Sequence, residues 1–300
     1  MNNLKLPPIH FHPIFFFFLF VAVITGMFIE FLIIFLIVLI HELGHYMCAR
    51  LFKWRIRRIF LWVFGGVMET EEYGSRSIRE EFFVTIAGPC QHILIYLVIY
   101  ILGVLHVLPE SILLIAYQYN TFILIGNLLP IWPLDGGKLV QLSLDTFFSF
   151  QTAHKLMIGI SFFTIVFLSI YLYDKGILSL SMVLLMIFLM WENRLEWKQR
   201  YMRWWQFLWS RHSYTSKQRK YMELEVPSTV RLVELFRKFK RDTYYWIKVY
   251  DQFGTYYWLS EQDCLTNFFE EKDIQASLEQ LLTRERGKKE KYEKITLLYK

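Results

Sequence analysis

The sequence predicts a mainly α-helical membrane protein: six transmembrane helices with a β-hairpin at the membrane edge, followed by a small α/β C-terminal domain. Three observations predict it. The 300 residues are 55% hydrophobic and 19% aromatic with a mean hydropathy of +0.30, values of a chain that spans a bilayer several times. Apolar segments of about the length a bilayer core requires, ~20 residues, recur along the first two thirds of the chain. Charge is segregated as well. Residues 1–190 hold 11 Lys+Arg against 11 Asp+Glu, whereas residues 191–300 hold 22 against 16 and so carry the whole net charge of +6.

The predicted spans cover residues 11–28, 29–51, 81–108, 111–129, 154–173 and 177–191, with a tight turn near Gly26 between the first two. Lys5 precedes the first span and no small-residue cleavage site follows it, which reads as a retained span rather than a removed leader. Arg50, Lys53, Arg55, Arg57 and Arg58 follow span two, and Arg194, Lys198, Arg200 and Arg203 follow span six; the opposite loops contain only Lys175. By the positive-inside rule both termini are cytoplasmic and span two ends at the cytoplasmic face. The expected organisation is a membrane domain over 1–195, an interfacial and basic linker over 196–220, and a regulatory domain over 221–300 with a charged tail from Arg284. The linker mixes Trp197, Trp204, Trp205 and Trp209 with Lys and Arg, the composition of a helix in the headgroup layer, and Arg211 opens a basic hinge. The positive charge of residues 191–300, diluted by many acids, fits anionic lipid and, without a recognition motif, no direct nucleic-acid partner. Cys48, Cys90 and Cys264 are too few and too scattered for a disulfide framework.

Two stretches break the helical pattern. Residues 54–68 partly alternate apolar and charged side chains, with Gly65-Gly66 before Glu69, Glu71 and Glu72, which suggests a strand or hairpin. Residues 127–137, Asn-Leu-Leu-Pro-Ile-Trp-Pro-Leu-Asp-Gly-Gly, cannot continue a regular helix although they abut an apolar span. Irregular backbone at membrane depth survives only when protein or a polar cavity surrounds it.

Chemistry concentrates at the end of span two, in His41-Glu42-Leu43-Gly44-His45. Histidines four apart share a helix face and can hold one zinc ion, and the glutamate between them suits a general base for a hydrolytic water. Ionisable residues in a bilayer cost roughly 2.5–3.5 kcal/mol each on insertion scales, so three together need a purpose. A catalytic zinc site wants a third protein ligand, and Asp135 on the broken helix is the candidate. Glu42 points about 100° away around the helix and is not expected as a further ligand. Asn127 offers an amide that could bond a substrate backbone. His10, His12, His92, His106 and His154 have no partner at ligand spacing and read as interfacial or core residues. A metal-ion transporter is the competing class, although such permeases usually place proline between the histidines and repeat the motif.

The three motifs His41–His45, Ala87-Gly88-Pro89 and Asn127…Leu134-Asp135-Gly136, in that order over residues 10–195, resemble the site-2 protease family of intramembrane zinc metalloproteases. One departure stands out: Gln91 and His92 occupy the place where family members often carry Asn. The resemblance implies Zn2+ as cofactor, Glu42 as catalytic residue and His41, His45 and Asp135 as metal ligands. It also implies a substrate path along the 54–66 strand, with Gly65, Gly66, Asn127 and Pro133 as substrate-binding residues and the substrate added as a strand. Without a PDZ-like insertion, and with a C-terminal unit that resembles one CBS module (βαββα), the closest subgroup processes sporulation sigma factors. That implies a membrane-associated pro-sigma factor as substrate, membrane-bound inhibitors or regulators as partners, self-association, and ATP as a ligand of the C-terminal unit. A transmembrane anti-sigma factor or a signal-peptide remnant is the alternative substrate.

Overall fold

The computed structural model describes residues 9–11, 13–62, 65–70, 74, 76–213, 220–250, 255–271 and 276–283. Lys5, His12, Glu71, Glu72 and the charged tail from Arg284 lie outside them, as does most of the basic hinge. The chain divides into two units, residues 1–144 with 156–198, and residues 145–155 with 199–300.

The first unit is helical. Helix α1 (Pro13–Ile24) meets α2 (Phe28–Leu51) at a turn that Gly26 makes with φ +76°, a conformation glycine adopts without strain. Helices α3 (Ile78–Val104), α4 (Glu110–Leu128) and α6 (Phe150–Asp174) follow, with α5 (Asp135–Phe147) between the last two. Ser77 caps α3 by accepting the Glu80 amide hydrogen (3.3 Å). Among the described residues four helices, α2, α3, α4 and α6, are long and apolar enough to cross a membrane. The first and last of the six expected spans are shorter. Helix α1 has 12 residues, about 18 Å of rise. Helix α7 (Leu180–Ser213) is 34 residues long, but Glu192, Arg194 and Glu196 enter soon after its apolar start. The expected sixth span and interfacial helix are therefore one continuous helix, and the linker expected at 196–220 is helical as far as Ser213.

The hairpin expected at 54–68 is a sheet. Strands β2 (Ile56–Trp62) and β3 (Gly65–Thr70) pair antiparallel, Leu61 facing Gly66 and Trp62 facing Gly65. Strand β1 (Ile9–Phe11) adds parallel to β2, giving the order β1-β2-β3 and leaving β3 at an edge.

The second unit runs β4 (Lys220–Pro227), α8 (Leu232–Phe236), β5 (Thr243–Tyr250), β6 (Tyr256–Ser260), α9 (Glu261–Glu270), a βαββα order. β5 lies between parallel β4 and antiparallel β6, and its alternate residues Tyr245, Ile247 and Val249 enter a core with Leu232, Leu235, Phe236 and Phe268. Trp204, Phe207 and Leu208 of α7 belong to that core, and Phe150 stacks on Phe207 with ring centroids 4.4 Å apart. Arg211 is not an exposed hinge residue: it is 3% exposed and its Nε and Nη2 each donate to a Glu261 carboxylate oxygen at 2.6 Å. Its guanidinium also donates to the Lys240 and Thr243 carbonyls, so the buried charge is fully engaged.

Candidate active site

The four-residue spacing on α2 brings His41 and His45 to one face, where both side chains are buried and their Nε2 atoms lie 3.1 Å apart. Asp135, the first residue of α5, places Oδ2 3.0 Å from His41 Nε2 and 3.1 Å from His45 Nε2. Glu42 is buried beside them, with a carboxylate oxygen within 4.8 Å of the histidine ligand atoms.

Asp135 reaches this point because the chain leaves α4 in a tight turn. The Ile131 amide donates to the Leu129 carbonyl (2.7 Å) and the Leu134 amide to the Ile131 carbonyl (2.8 Å). Gly136 packs onto the end of α4, where a β-carbon would overlap the Leu128 and Leu129 carbonyls. The irregular backbone at Trp132 is satisfied by side chains: Ser161 Oγ accepts its amide hydrogen (3.0 Å) and Asn193 Nδ2 donates to its carbonyl (2.8 Å). Ile131 beneath it is fully buried with Ile165 and Leu189.

Helix α3 supplies the other wall. His45 Nδ1 donates to the Val84 carbonyl (2.7 Å), and His41 Nδ1 lies 3.0 Å from His92 Nε2. His92 Nδ1 in turn faces Asn120 Oδ1 of α4 at 2.7 Å. Gly88 fills the space nearest the imidazoles; a β-carbon there would stand 2.7 Å from His41 Nε2. Lys138, one turn along α5, donates to the second Asp135 oxygen (3.1 Å).

His41, His45 and Asp135 are thus brought together, with Glu42 beside them. Asn127 is placed differently: its amide donates to the Ile123 carbonyl in its own helix (3.0 Å). Pro133 lies half-buried in the turn before α5, and Gly65 and Gly66 begin β3. His106 ends α3 in a left-handed conformation, and His154 stacks on Phe150 in the second unit. His92 is fully buried, as the core reading expects. Its spacing along the sequence gives it no partner, yet the fold sets it against a ligand candidate. Lys138, Asn120, Ser161 and Asn193 also escaped sequence reading; the one available signal was that each is a polar residue in or beside an apolar helix.

The donor set fits a zinc ion. The three converging atoms form a triangle with edges of 3.0, 3.1 and 3.1 Å, close to the about 3.3 Å between ligand atoms of a tetrahedral ion bound at 2.0–2.1 Å.

Residues 29–109 match the model of peptidase family M50. The chain is 36% identical over 275 residues to stage IV sporulation protein FB of Bacillus subtilis (strain 168), covering 91% of this chain and 96% of that protein. It is 26% identical over 183 residues to a zinc metalloprotease of Methanocaldococcus jannaschii, covering 57% of this chain and 52% of the other. A solved site-2 protease structure from the same archaeon aligns with a TM-score of 0.48 at 22% identity, over 65% of this chain and 93% of that one. More than a third of residues shared along nearly the full length of two chains is decisive: the protein belongs to peptidase family M50, the site-2 proteases, and is an integral membrane zinc metalloprotease.

Proposed function

We propose that His41, His45 and Asp135 hold a catalytic zinc ion, and that Glu42 serves as general base and then acid in cleaving a membrane-associated pro-protein near the cytoplasmic face. The observation that carries this reading is the convergence of two imidazole Nε2 atoms and one carboxylate oxygen within 3.0–3.1 Å. His45 Nδ1 is a donor to the Val84 carbonyl, so in the neutral ring Nε2 presents a lone pair. Electron-rich atoms held so closely in a buried site call for a cation between them. Zinc, when bound, polarises the scissile carbonyl and makes the attacking water more acidic. Glu42 takes the proton from that water and returns it to the leaving amine, from a helix position that both ligands keep rigid. Gly65 and Gly66 on edge strand β3, with Asn127 and Pro133, bind the substrate backbone in an extended form that exposes its peptide bond.

The substrate we favour is a membrane-associated pro-sigma factor. The support is identity along nearly the whole chain to a relative named as a sporulation protein. Membership of a peptidase family leaves no ground for the transporter alternative. Both termini are cytoplasmic in this reading, on the mother-cell side of a forespore membrane, and membrane proteins that restrain the enzyme are expected partners. The second unit, read as CBS-like on its βαββα order, would bind ATP and mediate self-association. Titration of ATP against the full chain in detergent tests this, and absence of binding at millimolar ATP removes it.

The central test is co-expression with a tethered pro-sigma factor, wild type beside Glu42→Gln. Cleavage by wild type alone is expected, and equal cleavage by the variant would overturn the assignment. Wild-type cleavage of a transmembrane anti-sigma factor, with the pro-sigma factor left intact, would move the substrate to the alternative class.

A further inference from the structure

The orientation of one amide decides the protonation of two histidines. Asn120 is fully buried in α4, and its Nδ2 donates to the backbone carbonyl of His92 (3.2 Å). That bond orients the amide, so the atom facing His92 Nδ1 at 2.7 Å is the acceptor Oδ1. His92 Nδ1 therefore carries the hydrogen, and the neutral ring has its lone pair on Nε2. His41 Nδ1, 3.0 Å away, is then the donor, which leaves His41 Nε2 as a lone pair directed at Asp135 and His45. A reversed chain would turn His41 Nε2 into an N–H and remove a metal donor.

We infer that His92, clamped by Asn120, is the positioning residue for His41: it selects the Nδ1–H tautomer and fixes the ring so that Nε2 faces the cation. The inference rests on the zinc reading above and adds two residues to it. His92 is fully buried and reaches His41 from α3, while Asn120 reaches His92 from α4, so the pair ties three helices to the orientation of one ring. His45 obtains the same service from a backbone carbonyl, which no side-chain substitution removes; His41 depends on side chains. Partners of this kind to a metal-bound imidazole typically change metal affinity or activity by about 10–100-fold when removed.

The experiment uses the full chain in detergent, with zinc affinity measured by chelator competition and the ligand field read from the visible spectrum of the cobalt-substituted protein. Wild type must bind zinc and Asp135→Ala must not; a wild type that binds none removes the metal reading and this inference with it. His92→Leu is expected to weaken zinc binding by at least about tenfold and to alter the cobalt spectrum. His92→Gln, whose Oε1 can accept from His41 Nδ1–H, is expected to restore most of the affinity. Asn120→Leu should fall between them, and the His92→Leu/Asn120→Leu double variant should be no weaker than His92→Leu alone. Wild-type affinity and spectrum in His92→Leu, or losses that simply add in the double variant, would overturn the inference while leaving the zinc reading intact. Should His92→Leu not fold, Asn120→Leu decides: unchanged affinity there overturns the proposal and a clear loss supports it.

Discussion

Gly88 and His45 sit so close that a β-carbon on residue 88 would overlap the imidazole Nε2. The glycine of the Ala-Gly-Pro motif is therefore a spatial requirement of the site, whatever it contributes to α3. Gly88→Ala must push the histidine off its position, and overpacking of this kind typically costs 1–3 kcal/mol. The expected result is protein with sharply reduced zinc per chain and no cleavage. Gly126→Ala in α4, where a β-carbon meets nothing within 4 Å, is the matched control and should retain both. Metal analysis of purified protein checks the pair.

Ser161 and Asn193 satisfy the two backbone groups of Trp132 in the turn that delivers Asp135. Losing either partner leaves a backbone polar group unsatisfied away from water, at about 1–3 kcal/mol each. Ser161→Ala and Asn193→Leu should lower the melting temperature in detergent and weaken zinc retention. Ser169→Ala, which removes only a bond to its own helix carbonyl, should do neither. Equal behaviour of the three variants would show that the turn does not depend on these side chains.

Lys138 is about one-third exposed and holds the second Asp135 oxygen at 3.1 Å. Partial exposure screens the pair, so its contribution stays near the upper end of the 0.2–1 kcal/mol of surface pairs. Lys138→Met is expected to lower kcat/KM by up to about fivefold. Asp135→Asn, which alters the proposed ligand itself, should abolish cleavage. Steady-state cleavage rates of a tethered substrate distinguish the two magnitudes.

In the second unit, Glu261→Ala would leave the Arg211 guanidinium buried without its carboxylate, a change that costs about 3–5 kcal/mol. Cys264 reports the opening. Its thiol is fully buried, and burial pushes it far above the ordinary thiol range, so the reactive thiolate is scarce in the folded unit. Maleimide labelling of Cys264 should be undetectable in wild type under native conditions. Glu261→Ala should accelerate it by two orders of magnitude or more, because local opening follows the lost stability. An Arg211→Met/Glu261→Leu double variant should recover protection, since a well-packed apolar pair can replace a buried ion pair.

The legible parts of the site were local. His41 and His45 declare themselves because a spacing of four puts them on one helix face, and Asp135 because prolines and glycines beside an apolar helix force irregular backbone. The turn at Gly26 and the 56–70 strands were readable for the same reason, each from periodicity and turn chemistry within a short window, whereas the βαββα order was expected from the CBS resemblance. Span lengths were less so. Apolar composition alone cannot tell that α7 runs unbroken from Leu180 to Ser213, since helix propensity continues past Trp191 where hydropathy stops.

A membrane zinc metalloprotease with His41, Glu42, His45 and Asp135 as its candidate machinery is legible along the chain. The order of three motifs and the expense of charge in a bilayer leave little else. What stands behind those residues emerges from the packing of the helices. His92 and Asn120 are 28 positions apart on different helices, and Ser161 and Asn193 approach Trp132 from two more. Arg211 reads as a surface charge until Glu261, 50 residues on, is found beside it. The physical reason is the same in each case. A buried polar group is defined by the partner that satisfies it, and when that partner comes from another helix no local pattern in the chain records the pairing.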